Sequence, residues 1–341
     1  MNILIVRFSA LGDVTLVIPA VRQIQRSFPN CNISWLTSPQ SYSLLRGLSG
    51  VEFIVTDKPT SVLDYYRVYK LFANKRFDIL LAMQASLRIN LVYPLIRASR
   101  KIGFDKIRAR DGQYLFSNER IDFRDEHLLD SFRSFAAKIG AENGEPQWGL
   151  DLPSGDVRWA ENIVSNLSTP LVAINPFSSK MERNWLPERY VDLIAEIRKR
   201  WNADIVLTGG SSPLEAEVSE GIARQLDFPV TNLVGSTTPK QLAALLSMVS
   251  CLIAPDTGPV HIATAVGTPV IGLYAVAPPG LTGAYLSRKL WVNKYPEAVE
   301  TILHRDPRKL PWNTRVHRGD PMSLISTRDV LEKLRQLLDQ P

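Results

Sequence analysis

The first segment whose residue types could do chemistry is Arg7-Phe-Ser-Ala-Leu-Gly-Asp13. It follows a short apolar run and precedes apolar residues at helical spacing, so it lies in a strand-to-helix loop. The pattern predicts a tight backbone turn at Gly12 and places Asp13 at the helix N-terminus. Such an aspartate is typical of a helix cap, and it is equally well placed for a general base. The segment lacks the glycine spacing of dinucleotide-binding loops, which disfavours a dehydrogenase.

A second polar segment, Asn175-Pro-Phe-Ser-Ser-Lys-Met-Glu-Arg-Asn-Trp185, follows another predicted strand. It offers two hydroxyl groups, Ser178 and Ser179, and two cations, Lys180 and Arg183. Serine hydroxyls donate hydrogen bonds, and an arginine binds phosphate through two parallel N–H groups. The segment therefore predicts a phosphate- or diphosphate-binding loop, with an ordinary solvated loop as the alternative.

A third segment, Ala-Pro-Asp-Thr-Gly-Pro-Val-His at residues 254–261, also follows a predicted strand. Its second proline is typical of a first helical turn, so the N–H groups of Thr257 and Gly258 are placed to bind an anion. Asp256 is either a helix cap or a ligand-binding carboxylate. His261 lies about one turn into the helix, where a buried core histidine and a donor-site residue are both compatible with the pattern.

A basic stretch runs from residue 97 to residue 110, where six basic residues accompany one acid. It is typical either of a solvated surface or of a polyanion site, and it lacks the interleaved aromatic residues of RNA-binding segments. The residues that we assign to anion binding are Arg97, Arg100, Lys101, Lys106 and Arg108.

Alternating strands and helices position these segments in the N-terminal half. Strands are predicted at Asn2–Val6, Ile33–Leu36, Phe53–Val55 and Phe77–Ala82, and helices at about 40–48, 61–74, 86–96 and 128–139. This alternation is typical of a parallel sheet that is covered on both faces. We take 141–153, which is rich in Gly, Pro, Asn and Glu, as a linker.

A second alternating series follows the linker. Strands are predicted at Leu171–Ile174, Ile205–Leu207, Cys251–Ile253 and Val270–Leu273, and helices at about 187–201, 213–226, 239–249 and 326–338. Capping boxes mark the starts of the last two helices. We therefore expect an α/β protein with two doubly wound domains facing a central cleft, with boundaries at 1–150 and 151–325 and a terminal helix in 326–341. Ligands of such sheets bind at the carboxyl ends of the strands.

Length and composition exclude several classes. The chain has 341 residues, enough for about two domains, and its 45% hydrophobic and 22% charged residues are ordinary globular values. Two cysteines cannot build a disulfide framework or a metal cluster. No apolar run reaches the roughly 18 residues of a membrane-spanning helix, and a signal peptide is not evident, so we expect a cytoplasmic protein. The net charge of +6 favours anionic partners.

Taken together, these segments resemble the bacterial lipopolysaccharide heptosyltransferases of glycosyltransferase family 9. The resemblance rests on Ser9-Ala-Leu-Gly-Asp-Val14, on the loop 178–185, on Asp256-Thr-Gly-Pro-Val-His261 with the residues up to Pro269, and on Pro279–Tyr285. It covers nearly the whole chain. The Pro279–Tyr285 segment is more similar to the enzymes that add the first heptose than to those that add the second.

The resemblance implies a GT-B fold, whose N-terminal domain takes a Kdo–lipid A acceptor and whose C-terminal domain takes ADP-heptose. Transfer would invert the anomeric centre, with no cofactor and no obligatory metal. Asp13 would be the base, and Ser9, Gly12 and the basic stretch would bind the acceptor. The implied donor-site residues are Ser178, Ser179, Lys180, Arg183, Glu215, Thr237, Asp256, Thr257, Gly258 and His261. Arg183 departs from the family pattern, in which a lysine usually stands in this loop.

Two other functions are compatible with the residues. One is a GT-B transferase that uses a different nucleotide sugar, because contacts to sugar hydroxyls are too dispersed to predict. The other is a basic nucleic-acid-binding protein, which the lack of a reader motif disfavours. The family resemblance instead predicts a protein held at the inner face of the cytoplasmic membrane by its basic charge, with an anionic membrane surface and no nucleic acid as partner.

Overall fold

A computed structural model describes residues 1–311 and 313–339 of the chain. The chain divides into two compact units, Met1–Asp151 and the part from Leu152 onward. Of the predicted terminal segment 326–341, residues 340 and 341 lie outside the described residues.

The first unit is built around a parallel sheet in the order β3-β2-β1-β4-β5-β6. Its strands are β1 (Asn2–Val6), β2 (Asn32–Thr37), β3 (Val51–Val55), β4 (Phe77–Leu81), β5 (Ala98–Gly103) and β6 (Glu119–Arg120). Its helices are α1 (Leu11–Ser27), α2 (Pro39–Leu45), α3 (Val62–Phe72), α4 (Leu87–Asn90) and α5 (Leu128–Lys138). Because β1 lies inside the sheet, its residues from Ile3 to Val6 are fully buried.

The second unit repeats this architecture with a parallel sheet in the order β12-β11-β10-β7-β8-β9. Its strands are β7 (Leu171–Ile174), β8 (Asp204–Leu207), β9 (Thr231–Asn232), β10 (Cys251–Pro255), β11 (Val270–Tyr274) and β12 (Val292–Asn293). Its helices are α6 (Ser154–Val164), α7 (Pro187–Trp201), α8 (Pro213–Arg224), α9 (Pro239–Leu246), α10 (Gly258–Ala265), α11 (Pro279–Thr282), α12 (Tyr295–Ala298) and α13 (Thr327–Leu338).

Local signals explain where several helices begin. Thr238 caps α9 and Ser326 caps α13, and Gln241 and Asp329 complete the two predicted capping boxes. Helix α7 starts with Pro187 at its first position. The two sheets with helices packed on them confirm the predicted α/β class with doubly wound parallel sheets.

Each sheet has a switch point, where the strand order reverses between its first and fourth strands. In the first unit this point lies between β1 and β4, and in the second unit between β7 and β10. Ligands of doubly wound sheets bind outside the carboxyl ends of the strands at this point. The loops after β1, β4, β7 and β10 are therefore the places where functional side chains are expected.

The structure differs from the sequence-based prediction at several elements. The helix predicted at 86–96 is wrong: the segment forms the short α4 and a 3-10 turn at Tyr93–Leu95, where Pro94 cannot donate a helical hydrogen bond. Strand β5 was not predicted, because its arginine and lysine mask the pattern of a buried strand. Helix α6 was also not predicted.

The segment predicted as a linker, 141–153, forms no regular element, yet part of it is packed. The Arg22 guanidinium, from α1, donates hydrogen bonds to the carbonyl oxygens of Trp148 and Gly149, each at 2.9 Å. The Trp148 side chain is buried. These contacts fix this segment against α1.

Candidate active site

Asp13 and Arg7 form an ion pair at the switch point of the first unit. Arg7 follows β1, and its Nη2 lies 2.5 Å from Oδ2 of Asp13. Its other terminal nitrogen, Nη1, donates to the carbonyl of Met83, which follows β4, at 2.8 Å. The guanidinium also lies over the ring of Phe132, 5.2 Å from the centroid. Arg7 is therefore a buried, well-anchored cation that fixes the orientation of the Asp13 carboxylate.

Asp13 is the third residue of α1 and keeps part of its surface exposed. Its Oδ2 accepts a hydrogen bond from the N–H of Ala10 at 3.2 Å, and the N-terminal end of the helix favours its negative charge. The side chain is 29% exposed, against 10% for Arg7. The carboxylate is thus held in place while a ligand can still reach it.

Gly12 does not form the predicted tight turn. It is the second residue of α1 and is buried, and its carbonyl accepts a hydrogen bond from Thr15 Oγ1 at 2.7 Å. Its place as an acceptor-binding residue stays a prediction. Ser9 lies in the loop and is half-buried.

The basic stretch contains fewer available cations than the sequence analysis expected. Arg100 donates from Nε and Nη2 to the two carboxylate oxygens of Glu119, at 2.6 and 2.8 Å. Arg108 is buried, pairs with Asp105, and also lies 3.6 Å from Glu126. Neither guanidinium is the free surface cation predicted for acceptor binding, because each is already neutralised inside the first unit.

The remaining members of the stretch differ in their surroundings. Lys101 is half-buried and donates from Nζ to the carbonyl of Tyr93 at 2.8 Å, and burial lowers the pKa of Lys101. Arg97 and Lys106 are exposed. These two stay predicted anion-binding residues.

A separate group of cations lies near Arg7. Lys58, in the loop after β3, is half-buried, and its pKa is lowered by burial and by the positive charges of Arg7 and Arg88. Arg88 belongs to α4, whose backbone is tied to α3 by a 3.0 Å hydrogen bond from Tyr65 Oη to the Arg88 carbonyl. Within the described residues, no carboxylate pairs with Lys58 or Arg88. Like charges brought together in this way favour binding of an anion.

In the second unit, the loop after β7 is tied to the residues after β10. Ser178 donates from Oγ to the carbonyl of Asp256 at 3.0 Å, and its N–H donates to Oδ1 of Asn184 at 2.7 Å. The loop is therefore held across the switch point by Ser178. Ser179 and Lys180 are exposed on the same loop.

Arg183 and Asp256 form the central ion pair of this unit. Arg183 Nη1 lies 2.9 Å from Oδ2 of Asp256 and also donates to the Asp256 carbonyl at 3.3 Å. Both side chains are mostly enclosed, with 14% and 12% exposed. The Nε atom of Arg183 is buried and has no hydrogen-bond partner among the described residues. The guanidinium is therefore held mainly by its ion pair with Asp256.

Thr257, rather than Asp256, is the cap residue of α10. Its side chain makes no capping hydrogen bond, and it is half-buried like Gly258, the first residue of the helix. Their N–H groups lie at a helix N-terminus, where anions are favoured. His261 is buried inside α10, and its role as a donor-site residue stays a prediction.

Glu215 and Thr237, the residues predicted for the adenosine end, lie at the starts of two helices. Glu215 belongs to the first turn of α8 and accepts the N–H of Gly210 at 2.5 Å. Thr237 directly precedes Thr238, the cap of α9. A side chain at Gly209 would come within 2.9 Å of both Phe177 and Glu215, so this loop needs a glycine for close packing.

The described residues, 1–311 and 313–339, contain no group of three His, Cys, Asp or Glu side chains arranged to hold a metal ion. They also contain no helix that is long and apolar enough to cross a membrane.

Comparison with known families decides the kind of protein. The family described as glycosyltransferase family 9 (heptosyltransferase) matches residues 65–305. The chain belongs to glycosyltransferase family 9. It is also 35% identical to the lipopolysaccharide core heptosyltransferase OpsX of Haemophilus influenzae, over 98% of this chain and 96% of that protein. The lipopolysaccharide heptosyltransferase 1 of Escherichia coli K12 is 22% identical over 84% of this chain and 91% of its own length.

Solved structures show the same fold for this family 9 enzyme. A family 9 glycosyltransferase from Veillonella parvula has a TM-score of 0.80 at 19% identity, covering 99% of this chain and 97% of that one. The E. coli heptosyltransferase WaaC solved with ADP has a TM-score of 0.72 at 21% identity, covering 98% and 99% of the two chains. The architecture is therefore that of the GT-B heptosyltransferases.

Sequence reasoning missed several residues that shape the site of this family 9 enzyme. Arg7 was seen only as part of a motif, although it anchors Asp13. Asn184 was seen only as part of the loop 175–185, although its side chain accepts the N–H of Ser178. Lys58 and Arg88 were not considered. The position of Arg7 directly after a buried strand was a usable signal in the sequence, because such a residue lies at the switch point. The sequence contains no comparable local signal for Lys58 or Arg88.

Proposed function

We propose that this family 9 enzyme transfers L-glycero-D-manno-heptose from ADP-heptose to the Kdo–lipid A inner core of lipopolysaccharide, with inversion. The observation that carries the proposal is an arginine–aspartate pair at each switch point, Arg7–Asp13 and Arg183–Asp256. The names of the curated relatives agree with the heptosyl transfer and with the lipopolysaccharide core.

The second unit holds the donor in this proposal. Arg183 neutralises the diphosphate with its guanidinium, while Ser178, Ser179 and Lys180 bind the phosphate oxygens with the N–H groups of Thr257 and Gly258. These cationic and N–H groups stabilise the charge that develops on ADP as it leaves. Because they supply that stabilisation themselves, the proposed reaction needs no metal and no cofactor. Asp256 and His261 organise this site, and Glu215 and Thr237 lie at its adenosine end.

The first unit supplies the base. Asp13 accepts the proton of the acceptor hydroxyl on its carboxylate as the hydroxyl oxygen forms a bond to the anomeric carbon of the heptose. The bond from that carbon to the ADP oxygen breaks, and ADP leaves with the bonding electron pair. Attack opposite the leaving group inverts the anomeric centre. Ser9 lies in the loop beside Asp13, and Arg7 is a positioning residue that keeps the carboxylate in one orientation.

The acceptor is anionic, and the cations of the first unit are proposed to hold it. Lys58 and Arg88 are added here to Arg97 and Lys106, since the charges of Arg100 and Arg108 are taken up by internal carboxylates. The cluster around Lys58 lies near Arg7 and therefore on the side of Asp13. Basic residues of this kind would also bring the protein to the anionic inner face of the cytoplasmic membrane.

A product assay tests the proposed reaction. Purified protein is incubated with ADP-heptose and a Kdo–lipid A acceptor, the product is weighed by mass spectrometry, and its anomeric configuration is read by NMR. We expect one heptose per acceptor, an inverted linkage and stoichiometric release of ADP. UDP- and GDP-sugars run in parallel; transfer from one of these without transfer from ADP-heptose would establish a different nucleotide sugar as donor.

A second assay tests the acceptor side. Lys58→Met with Arg88→Met should raise the KM for the acceptor about tenfold or more, and should leave the Kd for ADP unchanged. The comparison pair is Arg97→Met with Lys106→Met, which removes the same charge from the basic stretch and should raise the KM for the acceptor by a smaller factor. A larger effect of this second pair would move the main acceptor site to that stretch.

A further inference from the structure

The first unit exposes many large apolar side chains, whereas the second unit exposes few. Among the described residues, fourteen such side chains belong to the first unit and three to the second. Ten of the fourteen lie between residues 62 and 115. Exposed apolar side chains that are concentrated in this way mark an interaction surface.

Helix α3 is apolar on two of its faces. Its inner face packs Val68 and Phe72 into the core of the first unit. Its outer face presents Val62, Tyr66 and Tyr69, which are 87%, 51% and 43% exposed. Their spacing of four and three residues places them on one stripe of the helix. The core covers the inner stripe only, so the outer stripe is available to a partner.

Two short elements adjoin α3 and add further exposed leucines. Tyr65 Oη, on α3, donates to the carbonyl of Arg88 in α4 at 3.0 Å. The N–H of Leu87, also in α4, donates to Oδ2 of Asp111 at 3.0 Å, which ties α4 to the 3-10 segment Arg110–Leu115. The surface that these three elements form is called the apolar face here, and its exposed side chains are Val62, Tyr66, Tyr69, Leu87, Leu91 and Leu115.

Positive charge accompanies the apolar face. Residues 62–115 contain eleven lysines and arginines and four aspartates, a net charge of +7, whereas the whole chain carries +6. Lys70 is exposed, its Nζ lies 4.8 Å from the ring centroid of Tyr66, and no carboxylate among the described residues pairs with it. In contrast, Asp64 and Asp111 accept backbone N–H groups. The face therefore offers cations to an anionic partner.

The composition of the face favours a lipid bilayer over a protein as its partner. Tyrosines and leucines accompanied by lysine and arginine are typical of surfaces that enter the interface of an anionic membrane. Lysine is depleted in protein–protein interfaces. Arg88 of α4 also belongs to the group of cations around Lys58, so the face adjoins the proposed acceptor site.

We propose that the apolar face inserts into the surface of an anionic bilayer. Its tyrosines and leucines lie at the level of the headgroups, and Lys70 and Arg110 contact the lipid phosphates. Docking at this face brings the acceptor-binding cations to the membrane in which a lipid acceptor is anchored. The choice of a bilayer rests on the proposed function, which gives the enzyme a lipid acceptor.

Vesicle co-sedimentation tests the proposal, using the full-length protein and vesicles of phosphatidylcholine with or without phosphatidylglycerol. We expect binding to the anionic vesicles that weakens as the salt concentration rises. Tyr66→Ser with Tyr69→Ser should weaken this binding about tenfold or more, because buried apolar area contributes to interfacial binding. Leu87→Ser with Leu115→Ser is a second pair on the face and should act in the same direction. Lys70→Gln should weaken binding to the anionic vesicles about fivefold.

The matched control replaces two exposed leucines outside the face. Leu71→Ser with Leu286→Ser changes one residue on a different side of α3 and one in the second unit, and it should leave vesicle binding unchanged. A fluorescent NBD label measures insertion directly. Attached at Val62→Cys in a Cys31→Ser background, where Cys251 is buried, it should shift its emission to the blue on anionic vesicles and be quenched by nitroxide lipids. The same label at Leu286→Cys should show neither change.

Three results would overturn the proposal: no binding to anionic vesicles, wild-type binding by both face pairs, or a label at position 62 that is not quenched. A dimer in solution that both pairs disrupt would assign the face to a second copy of the chain and overturn it as well. An acyl-free Kdo acceptor separates this proposal from heptosyl transfer, because transfer to it should be unaffected by Tyr66→Ser with Tyr69→Ser. Transfer without vesicle binding refutes the docking face alone, and vesicle binding without transfer refutes heptosyl transfer alone.

Discussion

Replacing Asp13 by Asn is expected to separate a catalytic role from a structural one. The Arg7–Asp13 pair has a 2.5 Å contact and side chains that are 10% and 29% exposed. Its exposure is intermediate between that of surface ion pairs, which contribute about 0–1 kcal/mol to stability, and that of buried ion pairs, whose disruption costs about 3–5 kcal/mol. We therefore expect Asp13→Asn to lower the free energy of unfolding by about 1–3 kcal/mol.

The loss of activity should be much larger than this stability change can explain. A general base contributes about 100- to 10,000-fold to the rate. Because the variant remains folded at assay temperature, its kcat for heptosyl transfer should fall by that factor, while the Kd for ADP stays unchanged.

Two controls distinguish a base from an ion-pair partner. Asp64 occupies the same third position of α3 and accepts the N–H of Ser61 at 3.0 Å, but its helix follows the edge strand β3 instead of β1 or β4. Asp64→Asn should lower stability and leave kcat intact. Arg7→Met removes the partner of Asp13, so the Asp13→Asn change is repeated in that background.

A base loses activity on replacement in both backgrounds. If Asp13 only neutralises Arg7, replacing Asp13 in the Arg7→Met background causes no further loss of activity. That result would refute the assignment of Asp13 as the base. Near-normal turnover of Asp13→Asn alone would refute it as well.

Three further outcomes are expected. Arg183→Ala should raise the Kd for ADP about 10- to 150-fold in calorimetry, because a charge-assisted hydrogen bond worth about 1.5–3 kcal/mol is lost; an unchanged Kd would exclude Arg183 from the donor site. Arg108→Met should lower the free energy of unfolding in urea by about 3–5 kcal/mol, because buried Asp105 loses its partner. A higher KM for the acceptor in the folded variant would contradict this structural role. Hydrogen bonds, the side-chain bond from Ser61 first, lower the pKa of Asp64 from 3.8 to about 2. The ionised Asp64 carboxylate therefore stabilises the fold above pH 3.8, and this effect is lost as the pH falls towards 2. The unfolding midpoints of the wild type and of Asp64→Asn should converge over that range.

The elements with strong local signals were predictable from the sequence. Strand β7 was predicted at its observed bounds because four consecutive apolar residues precede a polar loop. Helix α7 was also predicted at its bounds, since Pro187 starts it and Asn202, in a left-handed conformation, ends it. In both cases the deciding residues are neighbours in the chain.

The roles of the cations were not predictable, because a charge can be seen in a sequence and its partner cannot. Arg100 lies on β5 and its partner Glu119 lies on β6, so only the strand pairing brings them together. Lys58, Arg88 and Arg7 come from three different segments of the first unit, and their mutual repulsion arises only in the folded chain. Density of charge along the chain therefore does not reveal which cations are already paired in the folded unit.

The proposed reaction gives different tasks to the two arginine–aspartate pairs. In each unit an arginine from the loop after the first strand meets a carboxylate at a helix start, and the pairs differ in exposure. Asp13 keeps 29% of its side chain exposed beside a more buried arginine, and in the proposed reaction this opening lets the acceptor hydroxyl approach its oxygen. Asp256 is only 12% exposed, which favours a role in holding Arg183 for the phosphates. The more open carboxylate is therefore the one suited to proton transfer.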